Sequence, residues 1–268
     1  MPVPPPSPDA RAVVTGASQG IGEALAAELA ARGHSLIVTA RRGEVLTDLA
    51  ARLTERYGVT VEVRAVDLTD AADRATLADE LAGRNISILC NNAGTATFGP
   101  VATLDPEGEK KQVALNVIAV HDLTLAVLPG MIARHAGGIL ISGSVAGNSP
   151  IPNNATYAAS KAFANTFSES LRTEVKKDGV HVTVLAPGPV RAEMPDPAEA
   201  SLVDKLIPDF LWISVEHTAK VSLDALEHNK MRIVPGITSK AMSVASGYAP
   251  RAIVTPIVGA VYKKLGGD

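Results

Sequence analysis

The sequence predicts a single-domain α/β fold with a doubly wound parallel sheet of about seven strands and helices on both faces. Three observations predict it. Short apolar runs alternate with helix-periodic stretches of about ten to fifteen residues, which is typical of parallel strands joined by crossover helices. A glycine-rich turn separates the first apolar run from the first helix. The length of 268 residues and the 46% apolar content suit one large domain.

Composition argues against several classes of protein. The net charge of −3 gives no basic surface for nucleic acid. The one cysteine, Cys90, cannot form a disulfide within the chain, and the six histidines show no metal-ligand spacing, so we expect no metal site. No run of about 18 uncharged apolar residues occurs, so we expect no stable membrane anchor. A secretory signal is not apparent, so we expect a cytoplasmic protein.

The chain divides into three parts. Residues 1–9 hold five prolines and predict a flexible arm. Residues 10–236 are expected to form the main domain, with the chemistry described below. Residues 237–268 are expected to add a helical C-terminal extension to that domain, including a short helix at 250–265.

The first strand, predicted at 12–15, runs into the glycine-rich turn. Gly16 permits a tight turn, Gly20 lets the backbone approach a pyrophosphate, and Gly22 lets the following helix pack closely on the strand. The N-terminus of that helix would present its N–H groups to phosphates. The alternative is an ordinary strand-to-helix turn that contains three glycines. The turn residues expected at a dinucleotide are Gly16, Ser18, Gln19, Gly20, Ile21 and Gly22.

The second strand, predicted at 35–40, ends in Arg41 and Arg42. At this position an acidic residue would bind the 2′-hydroxyl of NAD, whereas a basic residue accommodates the 2′-phosphate of NADP. We therefore expect NADP(H) in preference to NAD(H), with the Ser18 hydroxyl as a second contact. For Arg42 a solvated helix start is an open alternative.

Polar and small residues follow the next two strands. Asp67 ends the third strand, where its carboxylate could accept a bond from adenine or cap the next helix, although Asp70 is the better cap. The fourth strand, predicted at 86–90, is followed by Asn-Asn-Ala-Gly at 91–94. Small residues and a glycine at a strand end suggest that the backbone approaches a ligand there.

The second half contains a long predicted helix at 106–135, which Pro129 should kink or end. Asn116 lies on an apolar stretch of this helix and needs partners if it is buried, which suggests a polar site. Ser144 follows the fifth strand, predicted at 139–142. The remaining strands are predicted at 180–185 and 231–234.

Tyr157 and Lys161 are four residues apart in a predicted helix at 156–177, so their side chains share one face. A phenol has a reference pKa of about 10, and a nearby ammonium lowers that pKa by favouring the phenolate. Such a tyrosine could exchange a proton with a substrate oxygen, which the Ser144 hydroxyl could also hold. The same pair also occurs by chance on solvated helix faces, so the motifs around it decide its meaning.

These motifs in series resemble the short-chain dehydrogenase/reductase family, whose single domain has a Rossmann-like fold. Their order and spacing agree with the family from about residue 11 to residue 190. The resemblance rests on TGASQGIG at 15–22, NNAG at 91–94, Asn116, Ser144, the Tyr-Ala-Ala-Ser-Lys segment at 157–161, and Pro187-Gly188.

The resemblance implies that Tyr157 is the general acid/base and that Lys161 lowers its pKa and binds the nicotinamide ribose. Ser144 would orient the substrate carbonyl, with Ser142 as a weaker alternative. Asn116 would support a water-linked proton relay to Lys161. The further cofactor contacts that the resemblance implies are Arg41, Arg42, Asp67, Leu68, Asn91, Ala93, Gly94, Tyr157, Lys161, Pro187, Gly188 and Val190.

These roles imply hydride transfer between NADP(H) and the carbonyl or secondary alcohol of a small, apolar substrate. A substrate lid is expected at about 189–212, where Ala192 replaces a threonine that often bonds the nicotinamide carboxamide in the family. We also expect a homodimer or homotetramer. The alternative is a regulatory protein that binds NADP(H) without turnover, against which the four intact catalytic residues argue.

Overall fold

Strands alternate with helices along the part of the chain that the computed structural model describes, which is residues 3–191 and 212–248. The strands are β1 (Arg11–Thr15), β2 (Leu36–Ala40), β3 (Val61–Ala65), β4 (Ile86–Asn91), β5 (Gly137–Ser142), β6 (Val180–Leu185), β7 (Val190–Arg191), β8 (Ile213–Ser214) and β9 (Arg232–Ile233). Seven of them form one parallel sheet in the order β3-β2-β1-β4-β5-β6-β9. The predicted doubly wound sheet is confirmed, since its order reverses direction at β1 and β4.

Each face of the sheet has its own apolar core. The helices are α1 (Gly20–Ala31), α2 (Gly43–Tyr57), α3 (Ala71–Ala82), α4 (Pro106–Val113), α5 (Val120–Ala133), α6 (Ala155–Val175), α7 (Val215–Glu227) and α8 (Ile237–Tyr248). One core includes Val14 with residues of α1, α2 and α7, and the other includes Val13 with residues of α3, α5 and α6. Val13 and Val14 are neighbours in β1 but contribute to opposite cores, because successive side chains of a strand point to opposite faces of the sheet.

The helix predicted at 106–135 is present, but Pro129 neither ends nor interrupts it. α4 continues through a π-helical turn, Ala114–Ala119, into α5, and Pro129 lies inside α5. Proline removes the bond to the carbonyl of Leu125, and Leu125 is 52% exposed, so water can bond to that carbonyl. The π-turn contains Asn116, and such turns are frequent at functional sites.

By length and composition alone, the continuous helix Pro106–Ala133 is also apolar enough to cross a membrane, with a mean hydropathy of 1.6 in its most apolar window. The core helix of a globular domain passes the same test. Here 39% of that window is buried, and Leu123, Val127 and Met131 lie in the core between the sheet and α3. The absence of a membrane anchor and the cytoplasmic location stay predictions.

Val3 and Ala10 are buried at the two ends of the proline-rich segment, whereas residues 5–9 between them are exposed, so the flexible arm stays a prediction. Val3 is buried in the core beside Leu226, and a Cβ atom added to Gly138 would lie 3.3 Å from its side chain. Arg11 Nη1 also donates a hydrogen bond to the carbonyl of Pro8 at 2.7 Å.

The ends of the predicted lid lie side by side. β7 pairs with β8 in a separate two-stranded sheet, and the Arg191 guanidinium lies 4.0 Å from the centroid of the Trp212 ring. The interior of the lid, including Ala192, lies outside the described residues. α8 forms the first part of the predicted C-terminal extension, and the short helix predicted at 250–265 is also outside the described residues.

An ion-pair network ties β3 to its neighbours. Glu62 accepts hydrogen bonds from Arg84 at 2.6 Å and from Arg11 at 2.8 Å, while Arg64 bridges Glu62 and Glu80. The hydrogen bonds from Arg84 lower the pKa of Glu62 to about 2, against the opposing effect of partial burial. Because this pKa is lower in the folded state, Glu62 adds stability above about pH 4.5 that is lost as the pH falls towards 2.

We expect Glu62→Gln to lower the free energy of unfolding by about 1–2 kcal/mol at pH 7, because glutamine keeps the shape but not the charge. The deficit should shrink as the pH falls below about 4.5. Urea unfolding at pH 7 and pH 3 measures both values. Glu107→Gln removes an exposed ion pair with Lys110 and serves as the control, with little effect expected. An equal Glu62→Gln deficit at both pH values would contradict an ionic origin.

Candidate active site

Hydrogen bonds between side chains and backbone join the carboxyl ends of β1, β4 and β5. Thr15 Oγ1 accepts hydrogen bonds from the backbone N–H groups of Asn92 and Ala93, each at 2.9 Å. Asn92 Nδ2 donates to the carbonyl of Thr15 at 3.1 Å, and Ser142 Oγ donates to Asn92 Oδ1 at 3.2 Å. Three strands are therefore tied together where the glycine-rich turn begins.

The glycine-rich turn has the shape that a pyrophosphate requires. Gly16 and Gly20 have φ angles of +67° and +59°, which favour glycine. A Cβ atom on Gly22 would lie 2.1 Å from the carbonyl oxygen of Gly16, whereas one on Gly20 would meet nothing within 4 Å. Among the described residues, the side chain of Gln19 does not cap α1. The turn thus leaves N–H groups and open space before α1, which suits an anion.

Arg42 lies over this turn. Its Nη2 donates to the carbonyl and hydroxyl oxygens of Ser18, both at 3.0 Å, and to Gln19 Oε1 at 2.7 Å. Arg41 is exposed beside it at the end of β2. The structure therefore brings Arg42 and Ser18 together, while Arg42 is also an exposed residue at the start of α2, so its contact with a 2′-phosphate stays a prediction.

Asp67 does not cap α3. Asp70 caps it by accepting hydrogen bonds from two backbone N–H groups of the first turn, as the sequence predicts. Asp67 Oδ1 accepts two bonds from Thr69, at 2.8 and 2.9 Å. Although burial acts in the opposite direction, these bonds and the charge of Arg41 lower the pKa of Asp67. Leu68 is buried in the core beneath this loop.

The NNAG segment places its members differently. Asn91 is 2% exposed, and its Nδ2 donates hydrogen bonds to two oxygens of α5 at 3.0 and 3.2 Å. Its side chain therefore joins β4 to α5 inside the domain. The backbone N–H of Ala93 donates a hydrogen bond to Thr15 Oγ1, which holds Ala93 just beyond the carboxyl end of β4. A Cβ atom on Gly94 would lie 3.3 Å from Asn116 Oδ1 and 3.4 Å from Lys161 Nζ. Both side chains therefore lie close to Gly94, which leaves little room there for a larger side chain.

Asn116 links the loop after β4 to α6. Its Oδ1 accepts the N–H of Thr95 at 3.0 Å, and its Nδ2 donates to the Thr95 carbonyl at 2.8 Å and to Ser160 Oγ at 3.0 Å. Ser160 Oγ in turn donates to the carbonyl of Tyr157 at 2.8 Å. The side-chain amide therefore orders the turn of α6 that carries Tyr157. Its relay role stays a prediction.

Lys161 is a buried cation between β5 and Tyr157. Its Nζ donates to the carbonyl of Ser142 at 2.7 Å and lies 5.7 Å from the centroid of the Tyr157 ring. Burial lowers the pKa of Lys161 to about 8. The Tyr157 ring itself packs against a small apolar cluster of Ala146, Ile151 and Ala158.

Ser144 has a hydroxyl that can act on a ligand. Its Oγ accepts the N–H of Ala146 at 3.1 Å, which leaves the hydroxyl hydrogen to be donated elsewhere. Ser142 uses its hydroxyl to bond Asn92, and its carbonyl accepts the bond from Lys161. This geometry favours Ser144 over Ser142 as the residue that orients a substrate oxygen.

The loop after β6 reaches the same edge. The carbonyl of Pro187 accepts the N–H of Val145 at 3.2 Å, and Val190 pairs with Ile213. A Cβ atom on Gly188 would lie 2.3 Å from Ser239 Oγ, so this loop packs directly on α8.

An open groove of about 460 Å³ runs beside the site along α6. Its walls include residues 147–152 and four alanines of α6. At 100° per residue, these alanines lie roughly 100–200° around the helix from Tyr157. The groove nevertheless shares Ile151 and Ala158 with the small apolar cluster that Tyr157 packs against.

The sequence alone does not identify four residues of this arrangement, which are Thr15, Asn92, Ser160 and Asn165. The first three lie inside the motifs at 15–22, 91–94 and 157–161, in which neighbouring residues have the predicted roles. Asn165 follows Lys161 by four positions, and its polar side chain on the same helix face is a signal that could have identified it. It bonds to the backbone of Ser144.

Comparisons with known proteins agree with the resemblance. The model of the family described as short chain dehydrogenase matches residues 10–202. A very-long-chain 3-oxoacyl-CoA reductase from Laccaria bicolor is 40% identical over 175 residues, which cover 64% of this chain and 52% of that protein. Sulfoacetaldehyde reductase 2 from Chromohalobacter salexigens is 39% identical over 185 residues, which cover 68% and 73%.

A solved structure shows the same fold. The short-chain dehydrogenase from Sphingobium yanoikuyae in complex with NADPH has a TM-score of 0.79 and 32% identity, over 91% of this chain and 94% of that one. Against several curated 3-oxoacyl-CoA reductases, by contrast, the chain spans only about half to two thirds of their length.

We expect the stability of the cofactor-free protein to rise between pH 8 and pH 10 by up to about 2–3 kcal/mol more than that of Lys161→Met. The pKa of Lys161 is about 8 in the folded state, below its usual value of about 10.4, so the unfolded chain binds more protons in this window. Urea unfolding at both pH values measures the difference. Lys177→Met, at an exposed position, should keep the wild-type pH dependence. An unchanged dependence in Lys161→Met would contradict a buried ammonium.

Proposed function

The chain belongs to the short-chain dehydrogenase/reductase family of oxidoreductases, and from this premise we propose that it reduces a carbonyl group with NADPH, using Tyr157 as the general acid. The observation that carries the proposal is the burial of Lys161 between the end of β5 and the Tyr157 ring. Burying an ammonium costs free energy, and titratable groups that are perturbed in this way cluster at functional sites. Its position beside a phenol and next to the Ser144 strand end supports proton transfer.

The proposed mechanism divides the work among three side chains. When bound, NADPH supplies the hydride that the carbonyl carbon accepts. Ser144 donates its hydroxyl hydrogen to the carbonyl oxygen and so orients the substrate. Tyr157 donates a proton to the same oxygen as negative charge develops there. Lys161 stabilises the phenolate that remains, and in the reverse direction the phenolate accepts the proton.

The described residues fit NADP(H). The open space at Gly20 and the uncapped start of α1 suit the pyrophosphate. Arg42, Arg41 and the Ser18 hydroxyl would hold the 2′-phosphate, which favours NADP(H) over NAD(H). The related dehydrogenase in complex with NADPH supports this assignment.

An apolar carbonyl compound is the proposed substrate class. Tyr157 packs against apolar side chains, and the loop after β4 exposes Phe98 by 39% and Val101 by 51%. The relative named for 3-oxoacyl-CoA reduction acts on a substrate with an apolar chain, which supports this class, whereas the sulfoacetaldehyde reductase is named for a small anionic one. A homodimer or homotetramer stays a prediction, which light scattering after size-exclusion chromatography tests.

We expect wild-type protein to oxidise NADPH in the presence of a 3-oxoacyl thioester or an apolar ketone, and to act poorly on sulfoacetaldehyde. Tyr157→Phe should lower kcat by about 10²- to 10⁴-fold, because it removes the proton donor. Its Kd for NADPH should stay within about twofold of wild type, since the ring remains. Steady-state absorbance and cofactor fluorescence measure the two values.

Tyr57→Phe, at the end of α2, is the matched control and should leave kcat unchanged. Wild-type turnover by Tyr157→Phe would contradict the mechanism. NADPH binding with no turnover across the whole panel would instead favour the regulatory alternative.

We expect Arg42→Ala to weaken NADPH binding by about 10- to 100-fold, because it removes a charge-assisted contact to the 2′-phosphate. Binding of NADH should change by less than about threefold. Fluorescence titration with each cofactor gives the ratio. Arg52→Ala, which removes an exposed ion pair with Glu23, should alter neither affinity. An equal loss for both cofactors would overturn the phosphate assignment.

A further inference from the structure

The side-chain amide of Asn165 bonds to both backbone groups of Ser144. Its Oδ1 accepts the N–H of Ser144 at 3.3 Å, and its Nδ2 donates to the Ser144 carbonyl at 2.9 Å. Asn165 is 3% exposed and lies one helical turn beyond Lys161 on α6. One helix therefore carries Tyr157 and Lys161 and also holds the strand end that carries Ser144.

Gly143 makes this contact possible. A Cβ atom at residue 143 would lie 2.0 Å from Asn165 Oδ1 and 2.9 Å from the Val184 side chain. No side chain larger than hydrogen fits there while Asn165 keeps its position. The side-chain amide of Asn165 packs over residue 143, which explains why a glycine stands between Ser142 and Ser144.

A second group of polar residues determines which way the Asn165 amide faces. Arg232 Nη1 can only donate, so the oxygen of the Asn148 amide faces it, at 3.0 Å. The same oxygen accepts from Asn165 Nδ2 at 3.4 Å. Arg232 is held in turn by an ion pair with Glu169, at 2.8 Å. The nitrogen of Asn165 must therefore face both Asn148 and the Ser144 carbonyl.

We infer that Asn165 is a positioning residue for the proposed carbonyl reduction, acting only through Ser144; the inference rests on that proposed function. Asn165 does not touch the reacting atoms. It sets the backbone of Ser144, and so the place where the hydroxyl meets the substrate oxygen. Displacement of a positioned group by about 1 Å can cost about 10²-fold in rate.

A double-mutant cycle tests the inference. Asn165→Ala should lower kcat about 10- to 100-fold, with the Kd for NADPH within about twofold of wild type. In a Ser144→Ala background the same substitution should lower kcat less than about twofold, because no hydroxyl remains to be positioned. If Asn165→Ala does not fold, Asn165→Asp replaces it, since aspartate keeps the shape and the acceptor but loses the donor.

Ser168→Ala is the matched control. Ser168 is buried on the same helix and donates to the carbonyl of Ala164, so its loss perturbs α6 without reaching Ser144. It should leave kcat within about twofold of wild type. A loss of kcat equal to that of Asn165→Ala would assign the effect to general weakening of α6 and overturn the inference. Losses from Asn165→Ala and Ser144→Ala that multiply fully would also overturn it.

A stability cycle separates failure of this inference from failure of the proposed function. Gly143→Ala should lower the urea midpoint in wild type and lower it less in Asn165→Ala, where the closest contact is gone. An equal shift in both backgrounds would overturn the Asn165 contact even if no carbonyl is reduced. Absence of wild-type turnover together with strong coupling in this cycle would reject the proposed function and, with it, the positioning role.

Discussion

Hydrogen bonds from side-chain amides to backbone groups hold the carboxyl edge of the sheet, and the site depends on them. Beyond the last bonds of the ladder, each strand end carries N–H and C=O groups that have no strand partner, and leaving them buried and unpaired costs free energy. An amide offers one donor and one acceptor at a set spacing, so it can satisfy both groups of a single residue. Asn116 does so for Thr95, and Asn165 does so for Ser144.

This ordered edge makes the burial of Lys161 possible. A desolvated ammonium requires an acceptor in the right place, and the carbonyl of Ser142 is held there by the strand and by the Asn92 contact to its side chain. Gly94 contributes by having no side chain, because a Cβ atom would approach both Asn116 and Lys161. The fold thus keeps an ammonium group buried beside Tyr157, as the proposed proton transfer requires.

The doubly wound sheet and the order of the motifs could be predicted because each depends on residues that are close together in the sequence. Contacts between motifs could not be predicted, because they join residues that are far apart in the sequence. Alternation along β4 turns Asn91 towards α5 and Asn92 towards the edge, a difference that the motif alone does not reveal. The sequence predicts that Pro129 kinks or ends the helix, but Leu125, whose carbonyl loses its bond, is 52% exposed, so water can replace that bond. The Asn165 contact joins residues 21 positions apart, and only the folded chain shows that Gly143 leaves room for it.

The pairing of β7 with β8 has an evolutionary consequence. Arg191 and Trp212, which flank the interval 192–211, lie beside each other, so the two ends of that interval are held together whatever its sequence. Doubling the length of a flexible closed loop costs only about 0.6 kcal/mol. Insertions and exchanges there can therefore accumulate without disturbing the sheet edge that holds Tyr157 and Ser144. Under the proposed function, new substrate preferences could be acquired by replacing that segment, while Tyr157 and Ser144 are inherited intact.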